Sequence, residues 1–238
     1  MLSDRFDIER ELGRGGMGTV YLAHDELLDR SVAIKLLSAE VSSAIGSDRF
    51  HREIHLTARL VHPNIVPLFD SGESDGSLYY VMPFLNGGTL RERLSGSGPL
   101  PPADVIHVLS DLSEALAYSH GMGVIHRDLK PENVFWYGGR AILADFGIAL
   151  NTETTTGALT QAGLVLGTSS YMSPEQASGE RPDGRADLYS MGCVAFELLT
   201  GRPPYTAQNT AALLAAHVLA PIPSVRAIRP EVDPRLNE

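Results

Sequence analysis

The sequence predicts an α+β fold, a small antiparallel sheet followed by a larger, mainly helical part. Three observations predict it. Short β-prone runs broken by turn residues fill the first third, a glycine pair (Gly87-Gly88) closes that region, and helical periodicity dominates beyond it. The chain has 238 residues, 43% apolar and 20% charged, enough for one large domain or two joined lobes.

The strand runs are Phe6 to Leu12 and Thr19 to Ala23, which flank a glycine cluster, and then Ser31 to Leu37. Between Asp48 and Val61 the pattern turns helical, with Phe50, Ile54 and Ala58 four apart, and His62-Pro63-Asn64 should stop that helix. Ile65 to Phe69 and Leu78 to Phe84 read as further strands, giving a sheet of about five. Pro102 to His120 places Val105, Leu109, Leu112 and Leu116 on one helical stripe. Val134 to Tyr137 and Ala141 to Ala144 form a hairpin about Gly138-Gly139, whose freedom at positive φ suits a tight turn. Asn151 to Ser173 is long, Thr-rich and aperiodic, the mark of a functional loop. Gly184 to Thr200 (Leu188, Met191, Val194, Phe196, Leu198) reads as a deeply buried helix capped by Gly201. Ala211 to Leu219 reads as a packing helix with one apolar face.

Composition excludes several functions. Nineteen basic against 29 acidic residues, a net charge of −10, argue against nucleic acid as a partner. The lone cysteine, Cys193, excludes an internal disulfide and a multi-thiolate metal site, and makes an intracellular setting the default; it reads as inert core packing. The longest apolar stretch, Ala211 to Ile222, is interrupted by His217 and Pro221 and is too short to span a bilayer. Met1 to Glu11 is mostly polar and carries no secretory signal.

Three motifs carry chemistry. Gly13-Arg14-Gly15-Gly16-Met17-Gly18-Thr19-Val20 has glycines spaced to let backbone N–H groups approach phosphates. A dinucleotide-binding turn shares the spacing but needs a helix next, whereas a β-prone run follows here; no Walker Gly-Lys-Ser/Thr occurs. A merely flexible hairpin stays open on this motif alone. Val32-Ala33-Ile34-Lys35 places a Lys in an apolar strand, with Glu53 as its natural counter-charge; a Lys extending from an exposed face fits equally well. The third motif decides: His126-Arg127-Asp128-Leu129-Lys130-Pro131-Glu132-Asn133, with Asp145-Phe146-Gly147 beginning twelve residues after Asn133. Phosphoryl transfer needs a carboxylate beside the attacking hydroxyl, oxygen ligands for Mg²⁺ and cations along the phosphate. Asp128, Asn133, Asp145 and Lys130 supply those groups.

These motifs, in this order from about Phe6 to Tyr205, resemble the eukaryotic-type (Hanks-type) serine/threonine protein kinases of bacteria. The resemblance implies a two-lobed protein kinase-like fold, with an N-lobe over residues 1–85 (nucleotide sheet and regulatory helix) and a C-lobe over 86–238. It implies that Gly13, Gly15 and Gly18 cover the ATP phosphates and that Lys35, held by Glu53, binds the α- and β-phosphates. Asp128 would accept the substrate hydroxyl's proton, Lys130 would neutralise the moving γ-phosphoryl, and Asn133 and Asp145 would hold Mg²⁺ or Mn²⁺. Val20, Ala33 and Phe135 would sandwich the adenine. Met82 would be the gatekeeper, and the backbones of Pro83 and Leu85 would bond the base. Lys130 with Thr168 is the serine/threonine pattern. Gly167 to Glu175 resembles the substrate-binding end of an activation segment, with Ser173-Pro174-Glu175 for the commoner Ala-Pro-Glu. Asp187 resembles the anchor of the catalytic-loop backbone. Arg127 implies control by a phosphorylated residue in that segment, with Thr160 the leading autophosphorylation site and Thr152, Thr154, Thr155 and Thr156 behind it.

The implied activity is that of a non-specific protein serine/threonine kinase in signal transduction. ATP, protein Ser/Thr substrates and a second copy of the chain, in trans or as a dimer, are the implied partners, in the cytoplasm or under a membrane-anchored parent. Two other readings carry less weight. A nucleotide-binding pseudokinase or scaffold conflicts with the presence of Lys35, Asp128, Asn133 and Asp145, and a small-molecule phosphotransferase with the Gly167 to Glu175 segment. His51-x-Glu53-x-His55 reads as solvated helix histidines rather than a metal pair. Glu132 and Glu197 would favour basic residues before the phosphosite. Two departures from the family are expected to matter. Thr57 stands where a large apolar residue usually steadies the regulatory helix. The family's last helices are missing after Glu238, which would leave Glu175 without its Arg partner and lower stability.

Overall fold

The computed structural model describes residues 4–146 and 169–237. Its contacts separate two compact units that part between Asn86 and Gly87.

The first unit is a five-stranded antiparallel sheet in the order β1-β2-β3-β5-β4, built from β1 (Phe6–Gly15), β2 (Gly18–Asp25), β3 (Arg30–Leu37), β4 (Asp70–Ser74) and β5 (Ser77–Pro83). Pairing on the β1–β2 hairpin continues to Gly15 opposite Gly18, so the strands run through the glycine cluster and leave Gly16-Met17 as the turn. Strand alternation then sorts the side chains. Phe6, Ala23, Val32, Ile34 and Val81 form a core cluster. Register places Leu22, Ala33 and Met82 on the opposite face, with Val20, Lys35 and Tyr80 in the adjacent row.

Two short helices, α1 (Ala39–Ile45) and α2 (Ser47–Thr57), link β3 to β4. The sequence reading passed over α1, although Ser38 caps it through a bond from Val41 N to its Oγ. Helix α2 ends at Thr57, short of the expected Val61. Arg59 N and Leu60 N bond to the Leu56 and Thr57 carbonyls, tightening the last turn well before Pro63. Its buried residues are Phe50, Ile54 and Thr57, and Ala58 is exposed. Thr57 is buried with its hydroxyl donating to Glu53 O at 3.1 Å, so the polar residue is satisfied locally. The expected strand Ile65 to Phe69 is a correction. Ile65 and Val66 are buried as irregular chain, and the strand is the polar run Asp70–Ser74, which pairs along one side of β5 only. An edge strand held by backbone pairing needs no apolar alternation, so its sequence carried no signal.

The second unit begins with α3 (Leu90–Ser97), opened by a Thr89/Glu92 capping box, and α4 (Pro102–Gly121). The buried stripe of α4 is Val105, Val108, Leu112, Ala115 and Leu116; Leu109 is only half-buried. Strands β6 (Val134–Tyr137) and β7 (Arg140–Leu143) form the expected hairpin, with Gly138 and Gly139 at φ 59° and 80°. Asp111 of α4 accepts Ala141 N at 2.8 Å and ties the hairpin down. After the described gap come a 3-10 turn at Ser169–Tyr171, α5 (Pro174–Ala177), α6 (Gly184–Thr200) and α7 (Thr210–Leu219). Helix α6 is buried along Ala186, Ser190, Cys193, Val194, Glu197 and Leu198 and ends at Gly201 (φ 79°). Leu188 is an exception to the expected burial, at 52% exposed, because it lies off that stripe. Helix α7 also differs from expectation: its buried side chain is His217, while Val218 and Leu219 are exposed. No helix of the described residues is long and apolar enough to cross a membrane.

Candidate active site

The run 126–133 is held by groups distant in sequence. Asp187, fully buried near the start of α6, accepts His126 N through Oδ2 at 2.8 Å and Arg127 N through Oδ1 at 2.7 Å. His120, at the end of α4, adds a contact to Asp187 Oδ2 at 2.7 Å. Burial pushes the Asp187 carboxyl up, but His120, His126 and the two backbone N–H groups outweigh it and hold it below the usual range. Arg127 sits at φ 65°, a left-handed geometry that a non-glycine residue keeps only when its surroundings impose it.

His126 is buried and fixes the next residues. Its Nδ1 accepts Asp128 N at 3.2 Å, so Nε2 carries the proton and donates to Ala144 O at 2.9 Å. The side chain of Asp128 is thereby presented from a rigid base, anchored by Leu129, which is 1% exposed. Lys130 Nζ lies 2.6 Å from Asp128 Oδ2, and Asn133 Nδ2 donates to Asp128 O at 2.8 Å and to Oδ2 at 3.2 Å. Among the described residues Asp128 Oδ1 is buried and accepts no hydrogen bond.

The β6–β7 register brings the second acidic group to the same place. Ala144 N donates to Asn133 O at 2.8 Å, so Asp145 follows directly beyond Asn133, at φ 58°. Phe146 is buried against the His126 ring, centroids 4.8 Å apart. The Asn133 amide nitrogen is committed to Asp128, so the acceptor its side chain can offer is Oδ1, on the residue whose backbone carbonyl pairs with Ala144, the neighbour of Asp145. Two oxygen donors of this kind suit a hard divalent cation that takes its other ligands from phosphate and water. His51 and His55 are exposed on α2, and among the described residues no group of three His, Cys, Asp or Glu is placed to hold a metal.

In the first unit, Lys35 stands between Val20 and Tyr80 in the sheet, its Nζ 5.9 Å from the Tyr80 ring centroid. Ala33 lies opposite Met82 and both are buried; Pro83 pairs with Val32 at the end of β5, and Leu85 follows half-buried. Glu53 is half-buried on α2. The three loop glycines differ. A Cβ at Gly18 (φ 149°) would meet Leu36 O at 2.1 Å, whereas at Gly13 or Gly15 it would meet nothing within 4 Å. Gly18 is required by the sheet itself; Gly13 and Gly15 leave open space above an exposed backbone. Phe135 belongs to the second unit, half-buried on β6 and bridged to Thr89. Gly147, Thr160 and Thr168 lie outside the described residues.

The sequence reading missed four residues. Gln176 of α5 donates to Arg127 O at 3.0 Å, and His120 braces Asp187. Arg91 and Tyr171 are the partners of the two glutamates expected to favour basic residues. Glu132 Oε1 accepts Arg91 Nε at 2.8 Å, Glu197 accepts Arg91 NH1 at 2.7 Å, and Tyr171 donates to Glu197. Glu197 is 3% exposed, so both carboxylates already have an internal cation. Only a charged residue on a helix unremarked in sequence could have signalled this.

A fold of five-stranded sheet and helices, with a buried Asp, a Lys and an Asn converging in one loop, is the architecture of a phosphotransferase. The protein kinase domain family matches residues 6–235, and the chain belongs to it. It is 42% identical over 242 residues to the serine/threonine-protein kinase PknB of Mycolicibacterium smegmatis, covering 98% of this chain and 39% of that protein. It is 43% identical over 229 residues to PknB of Mycobacterium tuberculosis H37Rv (93% and 37% covered), and 40% identical over 233 residues to the serine/threonine-protein kinase PrkC of Bacillus subtilis (97% and 36% covered). The chain thus spans under two fifths of the length of these relatives.

Proposed function

We propose that this chain transfers the γ-phosphoryl of ATP to Ser and Thr hydroxyls of proteins. The observation that carries the reading is Asp128, whose Oδ2 is engaged by Lys130 and Asn133 while the buried Oδ1 accepts no hydrogen bond among the described residues. A buried carboxylate oxygen left in that state is costly, and a substrate hydroxyl is the donor that relieves it. Asp128 then orients the hydroxyl oxygen toward the γ-phosphorus and takes its proton.

The other roles follow from charge and place. Lys130 neutralises the moving phosphoryl group, and Lys35, oriented by Glu53, binds the α- and β-phosphates. The backbones of Gly13, Gly15 and Gly18 meet the phosphates; the open space at Gly13 and Gly15 has no purpose in the packing of the sheet and suits a ligand above it. Mg²⁺ or Mn²⁺, when bound, supplies charge neutralisation along the phosphates. Asn133 Oδ1 and the Asp145 carboxylate are the groups we assign to hold it. Val20, Ala33, Met82 and Phe135 supply apolar contacts for the adenine, with the backbones of Pro83 and Leu85 bonding its edge. Phosphorylation of Thr160 by a second copy, read by Arg127, would activate the enzyme. The ATP supply places the reaction in the cytoplasm.

Incubation with γ-labelled ATP and Mg²⁺, followed by phosphoamino-acid analysis, tests this reading. Phosphothreonine or phosphoserine above an Asp128→Asn background is expected; no label above that background contradicts it. Label that omits Thr160 contradicts the regulatory part alone.

A further inference from the structure

The link from Arg127 to Asp128 is held at three atoms. Asp187 Oδ1 accepts Arg127 N at 2.7 Å, and His126 Nδ1 accepts Asp128 N at 3.2 Å. The carbonyl between them, Arg127 O, accepts Gln176 Nε2 at 3.0 Å. Arg127 sits at φ 65°, so contacts rather than backbone preference keep this geometry. Gln176 differs from the other two holders in its place in the chain, on α5, directly after the segment that the kinase reading assigns to the acceptor. Its Oε1 accepts Ser173 N at 3.2 Å and Ser173 Oγ at 3.1 Å, and Gln176 N donates to Ser173 Oγ at 3.5 Å. This is a reciprocal capping box, closed on a fully buried serine. Glu serves such a box as well as Gln does, and its charge suits a helix N-terminus better. Only an amide can accept from Ser173 and donate to Arg127 O at once. The reason for Gln at this position therefore lies outside the helix it caps.

We propose that Gln176 is a positioning residue of the phosphotransfer reaction: its amide clamps the peptide carbonyl behind Asp128 to the start of α5, so that the acceptor segment and the Asp128 carboxylate keep one register. The catalytic part of this rests on the kinase reading, whereas the clamp rests on the hydrogen bonds themselves. If the Arg127–Asp128 peptide rotates, the Asp128 side chain turns with it, and a small misplacement of a reacting group is enough to slow the chemistry. A carboxylate at position 176 would keep the box with Ser173 but set an oxygen against Arg127 O, two acceptors face to face. Cap and clamp can thus be separated by one substitution.

That substitution is Gln176→Glu. Its thermal midpoint should stay within about 2 °C of the parent's, because the cap is retained. With γ-labelled ATP and Mg²⁺, its maximal rate of autophosphorylation should fall by about five- to twentyfold. The ATP concentration giving half that rate should change by less than about twofold, the mark of a group that orients rather than binds. Gln176→Leu, which removes cap and clamp together, should lose rate to a similar extent and also melt several degrees lower. Hydrogen exchange at the Asp128 amide, followed by NMR, reads the clamp without any phosphoryl transfer. In Gln176→Glu it should quicken by about tenfold, while amides within α4 keep their protection. A Gln176→Glu rate within about twofold of the parent's, or unchanged exchange at Asp128, overturns the proposal. So does a thermal midpoint lowered as far as that of Gln176→Leu, which would make the role merely structural. A parent that incorporates no label sinks the kinase reading; quickened exchange then leaves the clamp standing, and unchanged exchange removes it.

Discussion

Asp187 accepts the backbone N–H of Arg127 at 2.7 Å across 60 residues of sequence, and this contact fixes the turn from which Asp128 projects. Arg127 is held at φ 65°, a conformation costing about 1–2 kcal/mol without such support. Asp187→Ala leaves the N–H groups of His126 and Arg127 buried without an acceptor. We expect a loss of about 3 kcal/mol in urea unfolding, together with reduced phosphotransfer, while Asp187→Asn, which keeps one acceptor oxygen, loses less.

The same carboxylate gives a pH dependence of definite sign. Its folded pKa is lowered, so its contribution is fully present above the unfolded carboxylate pKa and is lost as pH falls through the lower folded value. Urea midpoints across an acid series should therefore fall more steeply for the parent than for Asp187→Asn. Parallel curves would show that Asp187 is not linked to folding in this way.

The loop glycines should divide by substitution. Gly18→Ala drives a Cβ to 2.1 Å from Leu36 O and should cost about 2 kcal/mol or more, because backbone must move. Gly15→Ala meets nothing within 4 Å and should leave stability within about 0.5 kcal/mol while raising the KM for ATP. Thermal melts and ATP titrations of the two variants check both halves.

Cys193 is buried on α6, and burial pushes its thiol up to about 12. With so little thiolate at neutral pH, a disulfide reagent should label it only as the protein unfolds. Rapid labelling of the native chain would contradict its place in the core.

Much of this was legible in sequence because the signals were local. The Gly138-Gly139 turn, the Gly201 cap and the run 126–133 each carry their own chemistry within a few residues. What escaped depends on partners far along the chain. Strand β4 is polar because an edge strand needs only a backbone to pair with, so Ile65 to Phe69 drew the assignment instead. Leu188 looked buried by composition but lies off the stripe of α6. On α7 the apolar residues are largely exposed, and His217 turns inward to accept or donate a 2.8 Å bond with Tyr189 OH. Arg91 could not be foreseen, since its partners lie 41 and 106 residues away.

The central claim is that Asp128 acts on the acceptor hydroxyl, and steady-state kinetics of Asp128→Asn beside nucleotide titration tests it most directly. The account predicts a kcat lower by about 10²- to 10⁴-fold with the affinity for ATP changed by less than about twofold. A variant that keeps the parent's kcat within a few-fold would contradict it.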